Sequence, residues 1–124
     1  MFDKDYFKNY KEHGFKWRFW SYFIKRYTKK DDSILEIGCT YGFLFKYLKD
    51  YKNLYGIDIS QYAIEQAKHI SPNANFQIMN AESLKFKKEQ CKLILAIDVI
   101  EHVKNPEKCI KECNRILNKE GMSL

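Results

Sequence analysis

The sequence of 124 residues predicts an α/β fold, in which helices cover both faces of a parallel sheet. Short apolar runs alternate with segments whose apolar residues recur every three or four positions. The runs at 33–37 and 92–97 are apolar almost throughout, as in strands that are buried on both sides. Strands that alternate with helices in this way are expected to be parallel and joined by right-handed crossovers.

The first 30 residues are predicted to form a basic, aromatic helical arm before an α/β domain of residues 31–124. The arm holds nine Lys and Arg against three Asp and Glu, and the rest of the chain holds thirteen of each, so the arm carries the whole net charge of +6. A helix is expected over residues 15–29, because four side chains recur on one helical face: Trp17, Trp20, Ile24 and Tyr27. Such an arm could bind an acidic partner such as nucleic acid, or its basic residues could simply form the solvent-exposed face of a helix.

The predicted domain begins with a strand at 33–37, a helix over 41–49 and a second strand at 53–58. Ser60 is expected to cap the next helix, because its side chain can accept a hydrogen bond from the first turn. The sequence Ser71-Pro72-Asn73 is expected to end that helix.

Two strands and a helix are predicted in the second half of the chain. The strands lie near 75–79 and at 92–97, and the charged segment between them is too short for a helix to be assigned. Asn105-Pro106 predicts a cap and a first helical position. Residues 119–121 are expected to end this helix, and residues 122–124 fit the start of another strand.

The composition favours neither a membrane protein nor a secreted one. The longest apolar run, residues 93–100, is too short to cross a bilayer, and the charged N-terminus lacks the apolar core of a signal peptide. The four cysteines show neither a C-x-x-C pair nor the spacing of a zinc site. Buried free thiols in a reducing, cytoplasmic protein are therefore expected.

The most informative feature is the turn that follows the first strand. Gly38 and Gly42 lie directly after that strand, and Asp58 lies at the end of the next one. Glycine lets a ligand approach the backbone, and an acid at the second strand end accepts hydrogen bonds from ribose hydroxyls. A nucleoside-type cofactor is therefore predicted. Thr40 occupies the place of the second glycine in the dinucleotide fingerprint, which disfavours NAD or FAD.

Five segments in order resemble those of class I S-adenosylmethionine-dependent methyltransferases, of the small-molecule type related to the ubiquinone-biosynthesis enzymes. They are Leu35–Gly42, Gly56–Ser60, Asn80–Leu84, Asp98–Val103 and Leu117–Gly121. The resemblance implies a Rossmann-like fold. Relatives continue past the last segment, so we expect a truncated, four-stranded sheet that is incomplete at its C-terminal end, with an exposed edge beside its fourth strand. A partner subunit could complete such a sheet.

The resemblance implies S-adenosyl-L-methionine as the cofactor and assigns its contacts. Asp58 would bind the ribose hydroxyls, and Ile59 would pack on the adenine. Asp98 would face the methionine end, near the methyl group. The methionine portion would lie on the first turn, at Glu36, Gly38, Cys39, Thr40, Tyr41 and Gly42. Three further residues would border the adenine, namely Asn80, Ala81 and Glu82.

Two residues depart from the family pattern. Thr40 stands where glycine is usual, and Asn80 stands where an acid is common, which makes Asn80 a weaker acceptor. The sequence leaves two possible roles open for each of two acids. Glu36 could counter the ammonium group of the cofactor or be a buried acid bonded to nearby backbone. Asp58 could bind the ribose or act as a helix-cap acid before Ser60.

Catalysis is expected to depend on positioning, with help from a base. His102 is the predicted general base, because an imidazole titrates near neutral pH, although it could instead hold the strand-to-helix turn. Asp98, Glu101 and His102 would share one helical face, and some relatives with a matching segment bind metal there, but no metal is predicted for this chain. In enzymes that the chain resembles, such an aromatic arm often folds over the cofactor as a lid, and the hypothesis here is that Tyr6, Tyr10 and Phe15 do so.

The predicted function is methyl transfer from S-adenosylmethionine to a small-molecule acceptor. One alternative is a non-catalytic module that keeps the fold and serves a partner subunit. Another is an RNA methyltransferase guided by the basic arm. A dinucleotide oxidoreductase is the least favoured of these classes.

Overall fold

Five parallel strands form one sheet in the computed structural model of the chain, which describes residues 14–97 and 103–123, and side chains only up to residue 118. The strands are β1 (Ser33–Ile37), β2 (Asn53–Asp58), β3 (Asn75–Ile78), β4 (Cys91–Leu95) and β5 (Leu117–Ser123). Their order across the sheet is β3-β2-β1-β4-β5. The predicted parallel α/β architecture is confirmed.

Three α-helices and one 3₁₀ helix accompany the strands within the described ranges: α1 (Gly14–Tyr27), the 3₁₀ helix (Phe43–Tyr47), α2 (Gln61–Ile70) and α3 (Pro106–Ile116). The predicted caps are confirmed. Ser60 Oγ accepts a hydrogen bond from Ala63 N at 3.1 Å, and Asn105 Oδ1 accepts one from Lys108 N at 3.2 Å. None of these helices is long and apolar enough to cross a membrane.

The strand order reverses between β1 and β4, and this places the candidate site. The chain moves from β1 to β2 and β3 on one side and then crosses to β4 and β5 on the other. In open parallel sheets, ligands bind outside the carboxyl ends of the strands at such a reversal. The loop that follows β1 and the residues that follow β4 border this position.

Two apolar clusters cover the two faces of the sheet. Ile34 of β1 packs in the first cluster with the buried side of α1, the 3₁₀ helix and α2. Leu35, the next residue, packs in the second cluster with Cys109 and Ile116 of α3. Neighbouring side chains of a strand point to opposite faces, so a strand between two covered faces has to be apolar throughout. The burial of β1 therefore explains its sequence.

The helix predicted over 41–49 is a 3₁₀ helix of five residues. Its carbonyls are bonded by side chains from the end of α2 rather than by a continued α-helix. Ser71 Oγ donates to Gly42 O at 2.6 Å, and Asn73 Nδ2 donates to Phe45 O at 3.0 Å. Partners that lie about 30 residues away cannot be recognised from local periodicity.

The prediction that α3 runs to residues 119–121 is wrong. The helix ends at Ile116, and Leu117 takes an extended conformation (φ −76°, ψ 131°) that begins β5 directly. Because β5 pairs with β4 in parallel, the expected exposed edge beside the fourth strand is also wrong. Tertiary pairing with β4 prevails here over the helical pattern.

Arg115 of α3 holds the charged loop between β3 and β4 in place. Its guanidinium donates to Phe86 O at 2.8 Å, to Leu84 O at 2.7 Å and to Glu112 Oε2 at 2.9 Å. Glu112 Oε1 in turn accepts a hydrogen bond from Leu84 N at 2.8 Å. These bonds satisfy the loop backbone without a helix, and we call this set of contacts the Arg115 network.

Candidate functional site

The loop that follows β1 contains three residues in the left-handed region: Gly38 (φ 69°), Thr40 (φ 49°) and Gly42 (φ 73°). Two amides of this loop, those of Gly38 and Cys39, donate to Ile57 O of β2 at 2.8 and 3.0 Å. The loop therefore turns tightly across the carboxyl ends of β1 and β2.

Gly42 is needed both for its conformation and for its small size. A Cβ atom at this position would lie 2.7 Å from Phe76 Cζ and 3.1 Å from Ala67 Cβ. Phe76 is buried on β3 and packs against Phe45, so its ring has little room to move. The glycine of the turn thus also supports the core beneath the candidate site.

Thr40 adopts a conformation that a β-branched residue rarely takes. A left-handed backbone of this kind costs about 1–3 kcal/mol and persists only where the surroundings hold it. Asp58 Oδ2 supplies one such contact, since it accepts a hydrogen bond from Thr40 N at 3.0 Å. The substitution of threonine for the usual glycine, noted in the sequence, therefore falls on a strained position.

Asp58 joins the two loops at the carboxyl ends of β1 and β2. Oδ2 binds Thr40 N, and Oδ1 accepts from Ser60 N at 3.0 Å. Burial raises the pKa of this carboxyl, and backbone N–H groups, first that of Ser60, oppose the shift. A carboxylate has about four acceptor positions, so it can still accept from a ligand hydroxyl. Both interpretations of Asp58, as a cap acid and as a ribose acceptor, are compatible with this geometry.

Glu36 is a buried acid on β1, two residues before the loop. Burial raises its pKa to about 8, while nearby Lys16 lowers the value and Asp58 raises it further. Its Oε1 atom has no hydrogen-bond partner within the described part of the chain. A buried polar atom without a partner is costly, and in native proteins it calls for a functional explanation. The site therefore fits a ligand that brings a cationic donor.

The predicted adenine-binding residues follow β2 and β3. Ile59 is 55% exposed, as expected of an apolar surface that a flat ring could cover. Ala81 is buried, and Asn80 is exposed, with its side-chain oxygen accepting from Glu82 N at 2.8 Å. Met79 N donates to Asp58 O at 3.0 Å, which brings this segment next to the acid.

Tyr41 and Cys39 frame the loop without offering reactive groups. The Tyr41 ring packs edge-on against Phe43 and Tyr62, with centroids 5.9 and 6.2 Å away. Burial raises the pKa of the Cys39 thiol well above its ordinary value, and Glu36 adds to the shift. This cysteine is therefore a packing residue. The four cysteines, Cys39, Cys91, Cys109 and Cys113, are buried and free, as predicted.

Several predicted residues lie outside the described residues, namely Tyr6, Tyr10, Asp98, Glu101 and His102. Ala96 and Ile97, which lead from β4 toward Asp98, are half-buried. Phe15, expected in the lid, is 86% exposed on α1. Within 14–97 and 103–123, no group of three His, Cys, Asp or Glu could hold a metal ion.

Sequence reasoning missed Lys16 and Trp17, which α1 brings to the same side of the sheet as Glu36. Lys16 lies close enough to Glu36 to affect its pKa, and Trp17 belongs to the cluster that covers Ile34 and Leu95. The basic stripe of the arm was visible in the sequence. The face of the sheet on which this helix packs was not visible, because helical periodicity does not say what a helix covers.

Residues 35–124 match the family model described as the methyltransferase domain. The chain belongs to this family. Membership implies S-adenosylmethionine as the cofactor, and the resemblance drawn from the sequence is confirmed. The match begins within β1 and includes the loop and both acids of the candidate site.

A curated relative is the ubiquinone biosynthesis O-methyltransferase of Coxiella burnetii, 28% identical over 105 residues, covering 81% of this chain and 45% of the relative. The solved structure of YcgJ from Bacillus subtilis has a TM-score of 0.80 at 21% identity, over 90% of this chain and 49% of that one. The solved structure of an S-adenosylmethionine-dependent methyltransferase from Thermotoga maritima has a TM-score of 0.69 at 27% identity. The match covers 86% of this chain and 49% of that one. The chain thus spans less than half the length of the curated relatives it matches.

Proposed function

We propose that this chain is the cofactor-binding part of a methyltransferase that acts on a small-molecule acceptor. The observation that carries the proposal is the meeting of Glu36, the Gly38–Gly42 loop and Asp58 at the carboxyl ends of β1 and β2. Each element has a property that such a cofactor needs: a buried acid with one unpartnered oxygen, a left-handed backbone and an acid whose carboxylate can accept further hydrogen bonds.

Each residue has a distinct part in binding. Glu36 would face the ammonium group, and the loop backbone would lie along the methionine chain. Asp58 would accept from the ribose hydroxyls while keeping its bonds to Thr40 N and Ser60 N. Ile59 would cover one face of the adenine, with Asn80, Ala81 and Glu82 along its edge.

When bound, S-adenosylmethionine supplies a methyl group already activated by its sulfonium. The residues of this chain therefore need to hold and orient the cofactor and the acceptor and to exclude water, rather than form a covalent bond. Such positioning can contribute about 7–11 kcal/mol. We propose that Asp98 borders the acceptor and that His102 takes the acceptor's proton on a ring nitrogen. A base of this kind contributes about 10²–10⁴-fold.

The acceptor is proposed to be a small molecule with a hydroxyl nucleophile, from the name of the Coxiella burnetii relative. A cytoplasmic location is proposed from the four buried free thiols, which suit a reducing compartment.

One feature of the sheet supports the proposal that a partner subunit binds this chain. β5 is an edge strand of the described sheet, and such an edge can pair with a further strand.

The test is calorimetric titration of the chain with S-adenosylhomocysteine, which binds without reacting. We expect saturable binding, weakened at least about tenfold by Asp58→Asn, because the amide removes a charged acceptor. Asp50→Asn is the matched control, since Asp50 is exposed and pairs with Lys30 at 3.6 Å. A folded wild-type chain that releases no heat and shows no thermal shift would reject the proposal. A shift with NADH alone would favour a dinucleotide enzyme.

A further inference from the structure

A cavity of about 450 Å³ lies where the end of α1 meets the end of the 3₁₀ helix. Lysines from both segments line it together with one acid, and they are Lys25, Lys29, Lys30, Lys46, Lys49 and Asp50. We call this surface the lysine cavity. A cleft lined by charges of one sign focuses the electric field and concentrates ions of the opposite sign. The lysine cavity is therefore suited to an anion that carries several charges.

Hydrogen bonds between the two segments fix the shape of the lysine cavity. Tyr51 Oη lies 2.6 Å from Thr28 Oγ1, which in turn donates to Ile24 O of α1 at 2.7 Å. The acid that lines the cavity, Asp50, pairs with Lys30 at 3.6 Å, and both side chains are exposed. An exposed pair of this kind contributes little to stability, so Lys30 can turn to an incoming anion at low cost.

The exposed side of α1, next to the lysine cavity, carries aromatic rings. Tyr22 is 68% exposed and lies three residues before Lys25, so its ring and the lysine are neighbours on the helix surface. Exposed rings beside a row of cations are the combination that binds single-stranded nucleic acid, because bases stack on the rings and phosphates meet the cations. In the described part of the chain, the exposed aromatic side chains all lie on α1, and they are Phe15, Phe19, Tyr22 and Tyr27.

The residues of α1 favour stacking over insertion into a lipid surface. A helix that lies in a membrane interface uses aliphatic as well as aromatic side chains. The aliphatic residue of α1 is Ile24, which is fully buried in the core. The Arg26 guanidinium lies 5.9 Å from the centre of the Tyr27 ring, so a cation also accompanies the rings at the end of the helix. Arginine beside aromatic rings adds cation–π contacts to stacked bases.

The lysine cavity and the candidate cofactor site lie at opposite ends of the sheet. Lys30 and Asp50 each lie three residues before a strand, at the amino ends of β1 and β2. The Gly38–Gly42 loop and Asp58 lie at the carboxyl ends of the same strands. Roughly 15–20 Å of strand separates the two ends. A site at the lysine cavity is therefore separate from the cofactor site and goes beyond the proposed function.

We propose that this surface binds single-stranded nucleic acid: the phosphates lie in the lysine cavity, and the bases stack on the exposed rings of α1, first on Tyr22. Lys25 and Lys29 are four residues apart and share a helical face. Lys49 comes from the segment after the 3₁₀ helix, so both segments supply cations to the phosphate chain. Stacking is available to every base, so binding is expected to depend little on sequence.

Fluorescence anisotropy with a labelled oligouridine of about 12 nucleotides tests the surface. We expect saturable binding that weakens steeply with salt, because lysines displace counterions from the phosphates. Lys25→Gln and Lys29→Gln should each weaken binding about fivefold in about 0.1 M salt and reduce the salt slope by about 0.7. The matched control is Lys111→Gln, an exposed lysine of α3 on the other face of the sheet, which should change neither. Equal effects of all three variants would overturn the lysine cavity as the phosphate site.

Asp50→Asn is expected to act in the opposite direction. It removes the acid that lines the cavity and releases Lys30, so binding of oligouridine should tighten about two- to fivefold. A damaged fold does not tighten binding, so this variant separates the effect of charge from an effect on folding. Unchanged or weaker binding would show that the phosphates do not pass through the cavity.

Tyr22→Leu separates stacking from apolar contact, because leucine keeps an apolar side chain and has no ring. It should weaken oligouridine binding at least about fivefold and leave the binding of inorganic polyphosphate, which has no bases, unchanged. Equal affinities of the wild type and this variant for oligouridine would overturn the proposal. A duplex of the same length that binds as tightly as the single strand would overturn it as well.

Two further ligands complete the test. Binding to phosphatidylglycerol vesicles without binding to oligouridine would overturn the proposal in favour of a lipid surface. The lysine and tyrosine variants should bind S-adenosylhomocysteine as the wild type does, because that site lies at the other end of the sheet. A wild-type chain that binds oligouridine but not S-adenosylhomocysteine supports this inference and rejects the proposed function, and the reverse result rejects this inference alone.

Discussion

Two acids of this molecule, Glu36 and Glu112, have opposite surroundings. Glu112 belongs to the Arg115 network, in which its carboxylate accepts from the guanidinium and from Leu84 N, and the bond to Arg115 lowers its pKa. Glu36 has an orphaned oxygen, and burial raises its pKa to about 8. An acid that stabilises the fold has its partners within the fold. Glu36 has one oxygen without such a partner among the described residues, as would an acid that binds a ligand.

The largest effect on stability is expected at the loop above the core. Gly42→Ala should reduce the free energy of unfolding by about 3–5 kcal/mol, since the new Cβ would meet Phe76 and the residue would keep a left-handed backbone. Urea unfolding measures the loss. Gly14→Ala is the control, because a Cβ there meets Tyr47 Oη at an ordinary 3.6 Å, and it should be neutral or slightly stabilising.

The pH dependence of stability should distinguish the two acids. Glu36 has a folded pKa above its unfolded value, so the folded chain binds the extra proton, and stability is lost as pH rises from about 5 to about 8. Glu36→Gln should remove this decline, which linkage puts at about 4 kcal/mol between pH 5 and 8.5. Unfolding in urea between pH 5 and 8.5 measures it, and parallel curves for the two proteins would show that Glu36 does not titrate in this range.

The opposite sign is expected for Glu112, whose folded pKa is lowered. Its contribution is present above the unfolded pKa and is lost as pH falls through the folded value. Glu112→Gln should lower Tm by about 2–4 °C at pH 7, a modest effect because the ion pair is partly exposed to solvent. It should leave the affinity for S-adenosylhomocysteine unchanged. A loss of affinity would mean that the Arg115 network also shapes the pocket.

The smallest effect is expected at the two described non-glycine residues with positive φ, Thr40 and Glu89. Thr40→Gly and Glu89→Gly should each raise the free energy of unfolding by about 0.5–1 kcal/mol, as relief of strain exceeds the added entropy of the unfolded chain. Only Thr40→Gly should also change the affinity for S-adenosylhomocysteine. Equal affinities for both variants and the wild type would separate Thr40 from ligand binding.

Local features could be predicted from the sequence, and features set by distant contacts could not. The strands β1 and β2 and the caps at Ser60 and Asn105 depend on apolar runs and on one side chain each. The 3₁₀ helix depends on Ser71 and Asn73, and the start of β5 depends on β4. At the site, the loop and Asp58 followed from their spacing. The approach of Lys16 to Glu36 did not, because it depends on where α1 docks.

The hydroxyl of Ser71 gives the ligand loop a mechanical anchor. Its bond to Gly42 O joins the loop to the residue that caps α2, so fraying of the last turn of α2 should also loosen the loop. Amide exchange at the end of α2 should accordingly report on motions of a loop that lies about 30 residues earlier in the chain.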